Sequence, residues 1–291
     1  MKNFKNKVAV ITGAGSGIGF ALAQRCGKEG MKVVLADIDE KFLRKAERKM
    51  KRLEADFITV LTDVSVVNEI EELAKKTFEA YGAVHLLVNN AGIGNTKYTW
   101  NYTLKDWEYQ LGVNLWGVIN GVRIFIPFML KQDEECHIIN VSSIEGLLSG
   151  SGPGGAIYGV SKHGVISLSE TLRTDLEMQN SKVKVSVVCP GFVNTRILFG
   201  DTHRPERYQN LSSEEREDTR GEDYVAKLGA KLGVNIENGL DQTKIISPDE
   251  AADRIFQAIE QDKFYILTHK DNVLRRLVKE RFDEILNEFD N

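Results

Sequence analysis

Cysteine and proline are scarce in this chain of 291 residues, at three and five. Cys26, Cys136 and Cys189 are odd in number and lack metal-ligand spacing, so neither a disulfide framework nor a metal centre is expected. Each falls in an apolar periodic segment and reads as a buried small residue in a reducing compartment. A surplus of one charge is also missing. A net charge of −4 and a pI near 5.9 give no basic footprint for a nucleic-acid partner. The stretch Lys41 to Arg52 is interleaved with Glu40, Glu47 and Glu54 and reads as the solvated face of a helix. No apolar run of the roughly 18 residues that span a bilayer is evident, so no membrane partner is expected. The N-terminal Met-Lys-Asn-Phe-Lys-Asn-Lys leads into a strand rather than a signal-peptide core. Repeats and low-complexity tracts are absent, and the expectation is a soluble cytoplasmic protein.

What is present is an alternation of strands and helices. Strands are expected at Val8–Thr12, Lys32–Ala36, Phe57–Leu61, Val84–Asn89, His137–Val141, Val183–Cys189 and Phe264–Leu267. Helices are expected at Ile18–Glu29, Glu40–Leu53, Val66–Tyr81, Leu104–Leu130, Ala156–Met178, Asp249–Gln261 and Val273–Asn287. The strands are continuous β-branched runs, which marks them as buried on both faces of a parallel sheet. Repeated strand-helix units then predict an α/β, doubly wound fold with about seven parallel strands flanked by helices. Residues 196–246 break the pattern with mixed charge and five glycines, Gly200, Gly221, Gly229, Gly233 and Gly239. That stretch is too long for an ordinary connection and reads as a substrate lid inserted before the last strand, or as a disordered surface insertion. The reading is a single domain over residues 1–291. Ser247-Pro248-Asp249-Glu250 restarts order, with Ser as N-cap, Pro at the first helical position and Glu placed to close a capping box.

Gly13, Gly17 and Gly19 follow the first strand and open a helix, where glycines allow a tight turn and backbone approach to a pyrophosphate. Asp37 ends the second strand, 20 residues after Gly17, where a carboxylate accepts from ribose hydroxyls and repels a 2′-phosphate. Asp37-Ile38-Asp39-Glu40 stays acidic, which favours NAD over NADP. Asp39 suffices to cap the following helix, leaving Asp37 for the ribose. Tyr158 and Lys162 stand at i and i+4 on one helix face, where the ammonium is expected to lower the tyrosine pKa and make it an acid/base.

Together with Asn89-Asn90-Ala91-Gly92, Asn114 and Ser142-Ser143, these residues resemble the short-chain dehydrogenase/reductase family in its single-domain, Rossmann-fold form, from about Lys7 to Thr195. The spacing of Gly13, Gly17 and Gly19 resembles that family's form of the glycine loop. The resemblance implies a catalytic set of Asn114, Ser143, Tyr158 and Lys162. Tyr158 would move the proton at the substrate oxygen, and Lys162 would lower its pKa and bind the nicotinamide ribose. Ser143, with Ser142 as the alternative, would orient the substrate oxygen. Asn114 would support a water linking Lys162 to solvent. The resemblance also implies cofactor contacts from Ser16, Ile18, Ile38, Asp63 and Val64 at the adenosine end. Asn90, Ala91 and Gly92 would follow, then Pro190, Gly191, Val193 and Thr195 at the carboxamide. Asp63 would meet the adenine amino group. Ser16 stands where phosphate-preferring relatives often carry a basic residue. The gap of 15 residues from Ser143 to Tyr158 is wider than is usual there, which places a Gly-rich loop over Leu148–Gly155 at the pocket rim.

Pocket walls are expected from Ile93, Leu147, Leu148, Phe192, Leu198 and Phe199, which suits a bulky apolar alcohol or ketone such as a steroid or terpenoid. Glu145 and Arg196 could instead recognise a polar group. The implied activity is an NAD-dependent alcohol dehydrogenase or ketone reductase. A non-catalytic NAD-binding regulator or scaffold is the competing class, and an epimerase or dehydratase a remote one. A homodimer or homotetramer is implied through Leu104–Leu130 and Ala156–Met178.

Overall fold

A computed structural model describes residues 1–95, 97–148, 155–209, 245–270 and 272–290. Seven strands form one parallel sheet in the order β3-β2-β1-β4-β5-β6-β7. They are β1 (Val8–Thr12), β2 (Lys32–Asp37), β3 (Phe57–Leu61), β4 (Leu86–Asn89), β5 (Cys136–Val141), β6 (Val183–Cys189) and β7 (Tyr265–Leu267). Every residue of β1, β4 and β5 is buried, the polar Asn89, His137 and Asn140 among them, whereas the edge strands β3 and β7 expose Leu61 and Tyr265, contrary to the reading of strands buried on both faces. The helices are α1 (Gly17–Lys28), α2 (Glu40–Arg52), α3 (Val67–Tyr81), α4 (Leu104–Leu111), α5 (Gly117–Lys131), α6 (Ala156–Met178), α7 (Pro248–Glu260) and α8 (Asn272–Asn287). Two large apolar clusters cover the two faces of the sheet, one around Leu22, Met50 and Phe256 and the other around Leu73, Phe125 and Met129. The sequence runs outward from β1 through β2 to β3, then returns to β4 on the other side of β1. That reversal opens a crevice at the carboxyl ends of β1 and β4, where ligands of open α/β sheets bind.

Two helix expectations are corrected. The single helix over Leu104–Leu130 is α4 and α5 joined by a π-helical turn, Gly112–Trp116, which contains Asn114. A π-turn inserts one residue per turn and re-aims the side chains it carries. The continuous helical run Leu104–Lys131 is long and apolar enough to cross a membrane by length and composition, contrary to the sequence reading; half of that window is buried within the protein. The N-cap of α7 forms, with Ser247 Oγ accepting from the Glu250 N–H at 3.1 Å, but the Glu250 carboxylate pairs with Arg254 at 2.6 Å instead of closing a box.

A buried polar chain locks the sheet to α6. Asn89 Nδ2 donates to Asn140 Oδ1 (2.8 Å), and Asn140 Nδ2 donates to the Ser169 hydroxyl (3.0 Å). Gly121 brings α5 against this chain: a β-carbon there would stand 2.1 Å from Asn89 Oδ1.

Candidate active site

The glycine loop is shaped by backbone conformation. Gly13 and Gly17 have φ of +64° and +54°, which side chains disfavour, and a β-carbon on Gly19 would meet Gly13 O at 2.3 Å. Ser16 is the N-cap of α1 but makes no side-chain cap bond, and the first turn carries no acidic residue. The cradle and the positive helix end therefore fit a dinucleotide pyrophosphate. Asn90 holds the loop from the far side: its Nδ2 donates to Thr12 O (2.8 Å) and Gly13 O (3.3 Å). The Thr12 hydroxyl accepts from the N–H groups of Asn90 and Ala91 at 2.9 and 3.1 Å.

Asp39 caps α2 through the Lys41 and Phe42 N–H groups at 2.7 and 3.1 Å, as expected. Asp37, however, is not left free. Its Oδ2 accepts from the Gly15 N–H (2.8 Å) and its Oδ1 from the Asp39 N–H (2.9 Å). Burial raises its pKa, opposed by those two bonds. A carboxylate offers about four lone-pair sites, so two remain for ribose hydroxyls. Ile38 sits exposed beside it. Asp63 departs further from expectation. Its Oδ1 accepts from Ser65 N (2.9 Å) and Ser65 Oγ (2.6 Å), and its Oδ2 is paired with Arg207. Val64 is buried against Gly117.

At the other end of the crevice, β5 delivers Ser142 and Ser143, and the first turns of α6 deliver Tyr158 and Lys162. The two serines separate cleanly. Ser142 Oγ donates to Lys162 O (2.7 Å) and ties strand to helix, whereas Ser143 Oγ accepts from the Glu145 N–H (3.2 Å) and stands near enough to the Tyr158 hydroxyl to favour its ionisation. Lys162 Nζ donates to Val141 O at 3.0 Å and lies 5.5 Å from the Tyr158 ring centre. The expected lowering of the tyrosine pKa is not found. Burial pushes Tyr158 up to about 12, only partly offset by Ser143, and Glu145 adds to the rise. Burial also lowers Lys162 to about 8, so its charge is itself disfavoured.

Asn114 is fully buried and clamps the chain beside the site: its Oδ1 accepts from Ile93 N and its Nδ2 donates to Ile93 O, both at 2.9 Å. A further bond reaches Ser161 Oγ at 3.2 Å. Gly92 lies beside Asn114 and Lys162: a β-carbon there would stand 3.5 Å from both Asn114 Oδ1 and Lys162 Nζ, an ordinary contact distance. The Pro190 carbonyl accepts from Ile144 N (2.9 Å), and the Gly191 N–H faces Thr268 Oγ1 and His269 Nδ1, each at 3.2 Å. Val193 bridges to Ile246, and Thr195 lies against Gly17. Sequence reading missed Thr12, Ser161 and His269 as site supports. Thr12 meets Asn90 and Ala91 at 78 and 79 residues' separation and His269 meets Gly191 at 78, distances along the chain that no local pattern signals.

The expected pocket walls are partly used elsewhere. Leu148 is buried with Ile144 and Leu274, Ile93 packs into the core and lies against Gly200, and Arg196 stands over the Phe42 ring at 4.9 Å. The side chains of Leu198 and Phe199, loop residues 149–154 and most of the expected lid, 210–244, lie outside the described residues.

Residues 7–204 match the family model for short chain dehydrogenases. The chain belongs to the short-chain dehydrogenase family. Within that family it is similar over nearly its whole length to a CLA biosynthesis dehydrogenase/reductase of Lactiplantibacillus plantarum, with 32% identity covering 99% of this chain and 96% of the relative. A 1-deoxy-11-beta-hydroxypentalenate dehydrogenase of Streptomyces avermitilis is 31% identical, covering 94% and 92%. Among solved structures, a short-chain dehydrogenase/reductase from Burkholderia phymatum in complex with NAD superposes with a TM-score of 0.87 at 41% identity, covering 99% of this chain and 97% of that one.

Proposed function

We propose that this short-chain dehydrogenase is an NAD-dependent oxidoreductase that interconverts a secondary alcohol and its ketone. The observation that carries the reading is the convergence of Ser143, the half-buried Tyr158 and the buried Lys162, whose Nζ lies 5.5 Å from the Tyr158 ring centre, at the end of the crevice that begins at the glycine loop. The nicotinamide, when bound, supplies the hydride chemistry. Tyr158 Oη passes the proton to or from the substrate oxygen, and Ser143 Oγ holds that oxygen in line. Lys162 and Asn114 position this pair, with Asn114 also supporting a water path to Lys162. Asp37 holds the adenosine ribose and disfavours a 2′-phosphate, and a relative solved with NAD supports the same choice.

The substrate is bulky and apolar, a reading supported by the similarity to a hydroxypentalenate dehydrogenase. The protein acts in the cytoplasm as a homodimer or homotetramer. The chain is a single domain, and the stretch before α7 serves as its substrate lid. The test is absorbance of reduced nicotinamide with NAD and NADP offered separately, against a panel of hydroxysteroids and terpenoid alcohols. NAD alone should be reduced by one apolar class. Tyr158→Phe should lower turnover by at least about a hundredfold while NAD binding persists. Equal turnover in that variant would return the chain to the regulator class.

A further inference from the structure

The segment after β6 does not stay at the substrate end of the crevice. It leaves Thr195 and pairs with the loop after β4, where the Gly94 N–H donates to Ile197 O at 2.7 Å. The Tyr109 hydroxyl donates to Gly200 O at 3.1 Å. His203 then reaches Asp39 at 3.0 Å, beyond the end of β2, and its ring meets Phe42 edge-on. Arg204 pairs with Asp106 at 2.7 Å and its Nε donates to Tyr208 O at 2.7 Å, which fixes the last turn, Glu206–Tyr208. Residues 197–208 thus cross the whole cofactor crevice, from the nicotinamide end to the adenosine end.

The far end of this strap lies on the residues assigned above to adenine. Arg207 pairs with Asp63 and donates to Ser65 Oγ at 2.9 Å. The Tyr208 hydroxyl donates to Ser65 Oγ at 3.2 Å, and its ring packs against Tyr109 at 5.2 Å and against the apolar cluster containing Val64 and Val113. The Arg207 guanidinium lies over that ring at 4.7 Å. A flat ring against this cluster, with an N–H donor turned to Asp63, is also how adenine would be recognised. With the strap in place Asp63 and Val64 are each only 6% exposed, so a second ring has no access to them. A cavity of about 470 Å3 opens on the outer side of the strap's last turn, lined by Ser65 and Tyr208 together with Trp107 and Trp116.

We propose that residues 197–208 are an autoinhibitory strap: Arg207 and Tyr208 occupy the adenine subsite, and a dinucleotide binds only when they are displaced. This rests on the dinucleotide reading above. Apparent affinity falls by the fraction of molecules with the strap open, so a strap closed in nine molecules of ten weakens binding about tenfold. The Arg207–Asp63 pair is part-exposed and the Tyr208 hydroxyl is bonded to Ser65, so these two side chains yield more readily than Arg204, whose pair with the buried Asp106 anchors the turn.

The experiment titrates NAD calorimetrically into the full chain and into an Arg207→Ala/Tyr208→Ala variant, with tryptic cleavage after Arg207 followed with and without NAD in the wild type. Tighter NAD binding by the variant, about tenfold, together with faster cleavage of the wild-type strap when NAD is present, is the expected result. NAD binding that is unchanged or weaker in the variant, or a strap that NAD protects, overturns the proposal and makes the segment a clasp over bound cofactor. Failure of both chains to bind NAD or NADP overturns the dinucleotide reading and the strap with it. Loss of binding in Asp37→Ala alone shows that the dinucleotide reading stands when only the strap has failed.

Discussion

His137 shows how far one buried side chain in this sheet is from its ordinary chemistry. It is the second residue of β5, 1% exposed, with Nε2 at 2.7 Å from Ser186 Oγ. Burial lowers its pKa from 6.5 to about 3, helped by the N-terminal ammonium and Lys184 and opposed by Asp262. The unfolded chain takes up this proton below about pH 6.5, whereas the folded chain does not until about pH 3. The unfolded state therefore binds more protons in that window, and stability falls as pH drops through it. Melting temperature followed from pH 7.5 to 4 should decline less steeply in His137→Gln than in the wild type. Parallel slopes would assign the acid sensitivity to other groups. Tyr158 and Lys162 obey the same rule with a different consequence. Both are pushed by burial toward their neutral forms, so an i, i+4 spacing that brings a cation to a phenol does not by itself make a phenolate.

At the scale of elements, the π-turn between α4 and α5 and the contact of α5 with β4 set where the site supports lie. Asn114 reaches Ile93 from within the π-turn, and Gly121 lets the next turn of helix sit against Asn89. Gly121→Ala should be destabilising despite alanine's better helix propensity, because its methyl group must displace the Asn89–Asn140–Ser169 chain. A loss of about 1–3 kcal/mol in denaturant unfolding is expected. An unchanged midpoint would mean that Asn89 turns aside at no cost.

For the whole molecule, the order of strands places the glycine loop and the Ser143–Tyr158 pair on the same edge of the sheet, on opposite sides of the reversal at β1 and β4. The outer side of this architecture carries exposed apolar residues, Trp116 at 56% and Phe128 at 43%, on the helices proposed to form the oligomer. Trp116→Glu with Phe128→Glu should shift the mass measured by light scattering from oligomer to monomer, with the far-ultraviolet spectrum retained. An oligomer that survives both changes would move the interface elsewhere.

What the sequence determined by itself was the set of local facts. Unbroken β-branched runs such as Val8–Thr12 fixed the buried strands, glycines after the first strand fixed the loop, and Asp39 and Ser247 fixed their helix starts. These features depend on neighbours a few residues away, and a single chain displays them directly. The tertiary structure alone decided which of two adjacent serines meets Tyr158, that Asp63 is held by Arg207 144 residues away, and that Asn114 clamps a backbone instead of standing free. Each of those depends on what the fold brings alongside a side chain and how much water it removes. Burial outweighed the local pairing at Tyr158 for the same reason: desolvation is set by everything that surrounds a group, and spacing along one helix carries no measure of it.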